Sequence, residues 1–114
     1  PKIFNVNWFR LGDDGNFIWP GFGDNLRVLE WILNRCGGTA DAVETAIGFL
    51  PRPEDINTDG LDIAPETLAD ILSVDPALWR EEAAGIEEFY AKFGDKLPPG
   101  LRSELTALEK NLGE

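Results

Sequence analysis

The sequence predicts an α+β, helix-rich fold in which an N-terminal β-hairpin and an aromatic loop are followed by about four helices. Three observations carry this reading. Ile3, Phe4, Val6, Trp8 and Phe9 give the opening residues high strand propensity, ahead of the strong turn signal Asp13-Asp14-Gly15-Asn16. Proline stands where helices begin, at Pro65, at Pro76 and at Pro98-Pro99. Apolar residues recur at helical spacing in the last half of the chain.

The elements follow in order. Lys2 to Phe9 form an extended strand with partial alternation, and the turn at 13–16 returns the chain to Phe17-Ile18-Trp19. That hairpin brings Phe9 close to Phe17. Pro20-Gly21 fits the centre of a type II turn, where Pro fixes one φ and Gly supplies the positive one, and Gly23 adds freedom. Phe22 is thereby presented from a loop. Asp24 or Asn25 then caps a helix reaching about Arg35, with Leu26, Leu29, Ile32 and Leu33 on one face and Gly37-Gly38 as the stop. Ile47-Gly48-Phe49-Leu50 reads as a short strand ended by Pro51 and Pro53.

Helices are expected over 65–72 and 76–93, the second behind the cap Asp75. In the longer one Trp79, Ala83, Ile86, Phe89, Tyr90 and Phe93 make an apolar stripe, and Gly94 ends it. Pro98-Pro99 opens a final helix carrying Leu101, Leu105, Leu108 and Leu112. These two form an antiparallel hairpin with acidic outer faces. The 114 residues are expected to be one unit: hairpin, loop and helix over 1–36, a strand and loops over 37–64, and C-terminal helices over 65–114.

Composition narrows the function. A formal net charge of -11 repels a nucleic-acid backbone and an anionic bilayer, so polymeric nucleic acid and membrane are not expected as partners. A single nucleotide escapes that exclusion, because a base is held by stacking. Cys36 is the lone cysteine, expected as a small buried helix residue, and its solitude suits a reducing cytosol. There is no histidine, so catalysis within these residues would need carboxylates or lysines. No apolar run approaches the roughly 20 residues of a membrane helix and no signal-like segment opens the chain, so it reads as soluble and cytoplasmic. The chain starts at Pro1 and contains no methionine, which leads us to expect a processed product or a piece of something larger.

Chemistry is advertised in one place: Trp8-Phe9, then Phe17 to Arg27. Rings around a tight turn fold onto a planar ligand such as a purine, and an Asn amide donates to a guanine O6 while accepting from the N1 proton. A cluster of Phe and Trp more often forms the core of a small domain. Here the seat of Phe22 between two glycines in a turn favours binding.

Asp55-Ile56-Asn57-Thr58-Asp59-Gly60 with Glu66 formally satisfies a calcium-loop pattern. Pro51 and Pro53 occupy the place of the entering helix, however, and Asp62 stands at the eighth position, so a polar turn before a helix is the preferred reading. The acidic pairs Glu81-Glu82 and Glu87-Glu88 lie on a solvated helix face, and the C-terminal leucine stripe reads as packing.

The chain resembles the C-terminal part of GTP-dependent phosphoenolpyruvate carboxykinase. The likeness rests on Lys2-Ile3-Phe4, Val6-Asn7-Trp8-Phe9-Arg10, Phe17-Ile18-Trp19-Pro20-Gly21-Phe22-Gly23-Asp24-Asn25 and Arg27-Val28-Leu29-Glu30-Trp31. It continues through Ile47-Gly48-Phe49-Leu50-Pro51, Glu54-Asp55-Ile56-Asn57, Leu72-Ser73-Val74-Asp75 and Lys92-Phe93-Gly94-Asp95-Lys96-Leu97-Pro98.

The resemblance implies part of the nucleotide-binding C-terminal domain of a larger P-loop-type carboxykinase, a lyase of gluconeogenesis. That enzyme converts oxaloacetate and GTP to phosphoenolpyruvate, carbon dioxide and GDP, with Mn2+ and a nucleotide-bound divalent metal such as Mg2+. By resemblance the guanine lies among Phe9, Phe17 and Phe22 with Asn25 at its edge; Gly23 and Asp24 share the loop, and Trp8 is a second neighbour. Asn5 stands where the family usually carries His, and Leu26 where a small polar residue is common.

The family's phosphate-binding loop, metal ligands and lid have no counterpart in this sequence, and no G-x-x-x-x-G-K-[ST] pattern occurs. The expectation is therefore a catalytically incomplete segment that supplies the guanine site, with no catalytic and no metal-binding residue of its own and with the remainder of the carboxykinase as its partner. The alternative is a free-standing acidic helical module whose aromatic loop grips a protein or peptide.

Overall fold

The computed structural model describes residues 1–113. Its regular structure is α1 (Asn25–Cys36), a hairpin of β1 (Val43–Thr45) and β2 (Gly48–Leu50), α2 (Pro65–Ile71), α3 (Pro76–Ala91) and α4 (Pro99–Asn111), with short 3-10 turns at Phe22–Asp24, Pro53–Asp55 and Gly94–Lys96. The chain divides into two compact units, Pro1–Val43 with Phe49–Ser73 and Glu44–Gly48 with Val74–Glu114.

The core of the first unit is Trp19, Trp31, Ile56 and Leu68, against which Phe4, Trp8, Val28, Ile32 and Ile71 pack half-buried. Phe4 meets Trp31 edge-on at 6.2 Å. Removing each large apolar side chain from water stabilises the unit by about 1.5–3 kcal/mol. The inward stripe of α1 is Val28, Trp31 and Ile32, whereas Leu26, Leu29 and Leu33 are exposed. Both stripes satisfy the helical period. The one that contains Trp31 buries more apolar area, and the indole N–H finds the Asp41 carbonyl at 3.3 Å. Cys36, expected to be buried, is exposed.

The expected N-terminal hairpin is reduced to a single antiparallel bridge between Leu11 and Phe17. Gly12 N–H donates to the Asn16 carbonyl at 2.9 Å, Ile18 N–H to that of Arg10 at 3.0 Å. Among the described residues no strand pairs with 3–9, so their strand propensity has no ladder to join. Asn7 Oδ1 accepts the Phe9 N–H at 3.0 Å, a local side-chain bond that takes the place of a ladder bond.

The sheet forms instead at 43–50, where the predicted strand appears as β2 and its partner β1 was not foreseen. Thr45 ties the connection: its hydroxyl donates to the Gly48 carbonyl at 2.7 Å, and the same oxygen lies 3.3 Å from the Ile47 N–H. Arg10 closes the C-terminal end of α2, donating to the Ile71 carbonyl at 2.9 Å.

In the second unit α3 and α4 pack around Ala83, Leu105 and Leu112, with Trp79, Ile86, Tyr90 and Leu108 half-buried beside them. The α3 cap is as expected, with Asp75 Oδ1 accepting the Ala77 N–H at 2.9 Å. Phe89 and Phe93 depart from the predicted stripe: both are exposed and meet edge-on at 5.2 Å. Residue 93 lies past the end of α3 at Ala91, so the helical period no longer points it at α4. Leu101 likewise stays exposed near the start of α4.

Candidate nucleotide-base site

Phe9 and Phe17 come together at the Leu11–Phe17 bridge, their ring centroids 5.6 Å apart and their planes tilted by 56°. Both rings are mostly exposed, 68% and 61%, so their outer faces meet solvent. A base held between two rings needs two stacking gaps of about 3.5 Å each. At 5.6 Å the pair is closed on itself, with no room for a planar ring between the two, and only the outer faces are open.

Phe22 is presented differently. Its side chain is 95% exposed and its backbone is left-handed, φ 51°. That conformation costs a non-glycine residue about 1–2 kcal/mol. Gly21 precedes it with φ 78° and ψ −166°, so the expected type II turn, which needs ψ near zero there, does not form. Instead Asp24 N–H reaches the Gly21 carbonyl at 3.2 Å and closes the turn Phe22–Asp24. A large ring held in solvent on a strained backbone has no packing reason to be there, and such outliers cluster at ligand clamps. Among the described residues Phe22 makes no ring pair with Phe9 or Phe17. A Cβ at Gly23 would meet open space, which leaves the backbone approachable on that side.

Asn25 opens α1, and its Oδ1 accepts a hydrogen bond from Trp19 Nε1 at 2.9 Å. Indole N–H only donates, so the oxygen must face Trp19, and one lone pair together with the NH2 group remains for a ligand. The expected side-chain cap of α1 is absent: Asp24 is itself helical, φ −70°, and its Oδ1 holds Arg27 Nε at 3.0 Å. Arg27 also donates to the Asn57 carbonyl at 2.9 Å, which ties the aromatic loop to the 56–58 turn. Trp8 is half-buried against the core.

Two of these groups were not singled out as site residues from the sequence. Trp19 was read only as part of the aromatic run, although its six-residue distance from an Asn was visible. Arg27 had a local signal in the Asp24–Arg27 spacing, but its reach to Asn57 is not local.

The loop with the calcium pattern is occupied by its own protein. Asp55 accepts the Arg52 backbone N–H at 3.0 Å and its guanidinium at 3.1 and 3.2 Å. Those bonds to Arg52 hold the Asp55 carboxyl below its ordinary range. The side chain of Asn57 accepts the Asp59 N–H at 3.0 Å. Among the described residues no group of three or more His, Cys, Asp or Glu could hold a metal ion. No helix among them is long and apolar enough to cross a membrane.

The exposed rings of Phe9, Phe17 and Phe22 are able to stack on a planar group, and the oriented amide of Asn25 is able to read an edge. Residues 1–111 match the phosphoenolpyruvate carboxykinase C-terminal P-loop domain, and the chain belongs to the GTP-dependent phosphoenolpyruvate carboxykinase family. It is 55% identical over 113 residues to that carboxykinase of Paenarthrobacter aurescens, covering 99% of this chain and 19% of the relative. The corresponding figures are 51%, 98% and 18% for the enzyme of Treponema pallidum, and 48%, 98% and 19% for that of Chlamydia caviae. The chain thus spans under a fifth of the length of the relatives it matches, here 19%. With the family match running through 1–111, the alternative of a free-standing acidic module finds no support.

Proposed function

We propose that this chain supplies the guanine site of a GTP-dependent phosphoenolpyruvate carboxykinase, the lyase that converts oxaloacetate and GTP to phosphoenolpyruvate, carbon dioxide and GDP in the cytoplasm. The observation that carries the reading is Phe22, an almost fully exposed ring on a left-handed backbone three residues from an amide of fixed orientation. Phe9, Phe17 and Phe22 offer faces for stacking, Asn25 reads the base edge, Gly23 and Asp24 shape the loop, and Trp8 is a second neighbour packed against the core.

The phosphates, Mn2+ and Mg2+ are served by the rest of the polypeptide, since no G-x-x-x-x-G-K-[ST] motif and no histidine occur here. The segment alone is therefore inactive. The same remainder of the chain is the partner that covers the exposed apolar face Leu26, Leu29 and Leu33 of α1.

Nucleotide titration of the full-length protein tests this reading. GTP and GDP are expected to quench tryptophan fluorescence at lower concentration than ATP and ADP, and Phe22→Ala to weaken that response. Equal or stronger binding of ATP overturns it. A reading of the coding sequence upstream of Pro1 is a second check, in which the phosphate-loop motif is expected.

A further inference from the structure

We infer that Trp19 is a positioning residue that sets the base preference of the site by locking the amide of Asn25. This rests on the proposed guanine site. The Nε1–H of Trp19 lies 2.9 Å from Asn25 Oδ1, and an indole has no acceptor to offer in exchange. An amide flipped by 180° would set NH2 against N–H, two donors facing each other. The flip is therefore blocked. Trp19 is itself 6% exposed and packs in the core with Trp31, Ile56 and Leu68, so the lock does not swing with the loop. Asn25, one residue into α1, cannot follow the ligand by backbone movement without unwinding the helix start.

With its oxygen held by Trp19, the amide keeps its NH2 group, a donor, for the base. A purine with a 6-oxo group meets that donor with an acceptor, whereas one with a 6-amino group meets it with another donor. Stacking on the phenylalanines contributes to either base alike, because every base has a π face. Discrimination therefore depends on the orientation of one amide, and that orientation depends on one indole N–H. Without it the amide turns over freely and its oxygen accepts from a 6-amino group.

The experiment is done in the full-length carboxykinase that carries these residues, with GTP, ITP and ATP as substrates. Two variants remove the N–H: Trp19→Phe, and replacement of Trp19 by 3-benzothienylalanine, in which sulfur takes the place of the indole nitrogen and the ring shape is kept. The second keeps the test decisive where the smaller ring unsettles the core. The expected result is a fall of about tenfold or more in the kcat/KM ratios GTP:ATP and ITP:ATP. ITP falls with GTP because the 6-oxo contact is the one that is lost.

Unchanged ratios overturn the inference, and so does an equal loss for all three nucleotides, which would mean that the indole only supports the fold. A wild-type protein without preference for 6-oxo purines overturns both the inference and the guanine reading. A wild-type preference that survives in both variants overturns the inference alone.

Discussion

Phe9 and Phe17 hold their rings 5.6 Å apart at a 56° tilt although both side chains stand largely in water. An exposed aromatic pair contributes little to the core, so the two rings are available for a ligand at small cost to the fold. Phe9→Ala and Phe17→Ala are each expected to weaken guanine-nucleotide binding by about 1–3 kcal/mol, roughly 5- to 150-fold. Thermal denaturation should shift little beside that loss. A large drop in melting temperature with affinity intact would assign the pair to folding.

In the proposed site Phe22 sets stability against binding. Its left-handed backbone, φ 51°, suits glycine, and its ring touches almost nothing. Phe22→Gly is expected to leave stability unchanged or raise it by up to about 1 kcal/mol, while weakening nucleotide binding by at least tenfold. Urea denaturation and calorimetric titration of the same variant check both halves.

Arg27 ties Asp24 and the Asn57 carbonyl to one guanidinium, on a side chain that is only 20% exposed. Arg27→Ala is expected to destabilise by about 1–3 kcal/mol, because the Asn57 carbonyl and the Asp24 carboxylate both lose a charge-assisted partner. Arg27→Lys should recover only part of it, since one ammonium cannot reproduce the fork. The urea midpoints of the three proteins give the comparison.

Asp55 provides a pH test. Its bonds to Arg52 lower its folded-state pKa beneath the ordinary 3.8, so the folded state binds fewer protons there than the unfolded one. The contribution is present above the unfolded value and is lost as pH falls through the folded one. The stability gap between the native protein and Asp55→Asn should be constant near neutrality and close only in acid. Urea midpoints measured from pH 7 downward would refute this if the gap stayed open.

Where structure is written in neighbouring residues, the sequence was readable. Pro76 behind Asp75 announces α3 through a local cap, and Pro65 marks the first turn of α2 without one. The aromatic run and Asn25 were equally visible, because loop composition is local. What was hidden depends on competition or on partners distant in the chain. Nothing at Ile3 to Phe9 says that no strand will pair with them, and Ala46-Ile47 gives no conventional turn signal for the hairpin that does form. The two stripes of α1 have the same period, so only the packing of Trp31 decides which one turns inward. The positive φ of Phe22 defies the usual preference and had no signature at all.

Trp19 holds Asn25 and also belongs to the small set of residues on which the first unit closes. A loop hung on glycines alone would grip a ligand without informing the rest of the molecule. In the proposed site the grip is fastened to a core residue, so occupancy is expected to resist the cooperative opening of the unit as well as the motion of the loop. Amide protons around Leu68, far along the chain from the rings, should then exchange with deuterium more slowly once a nucleotide is bound.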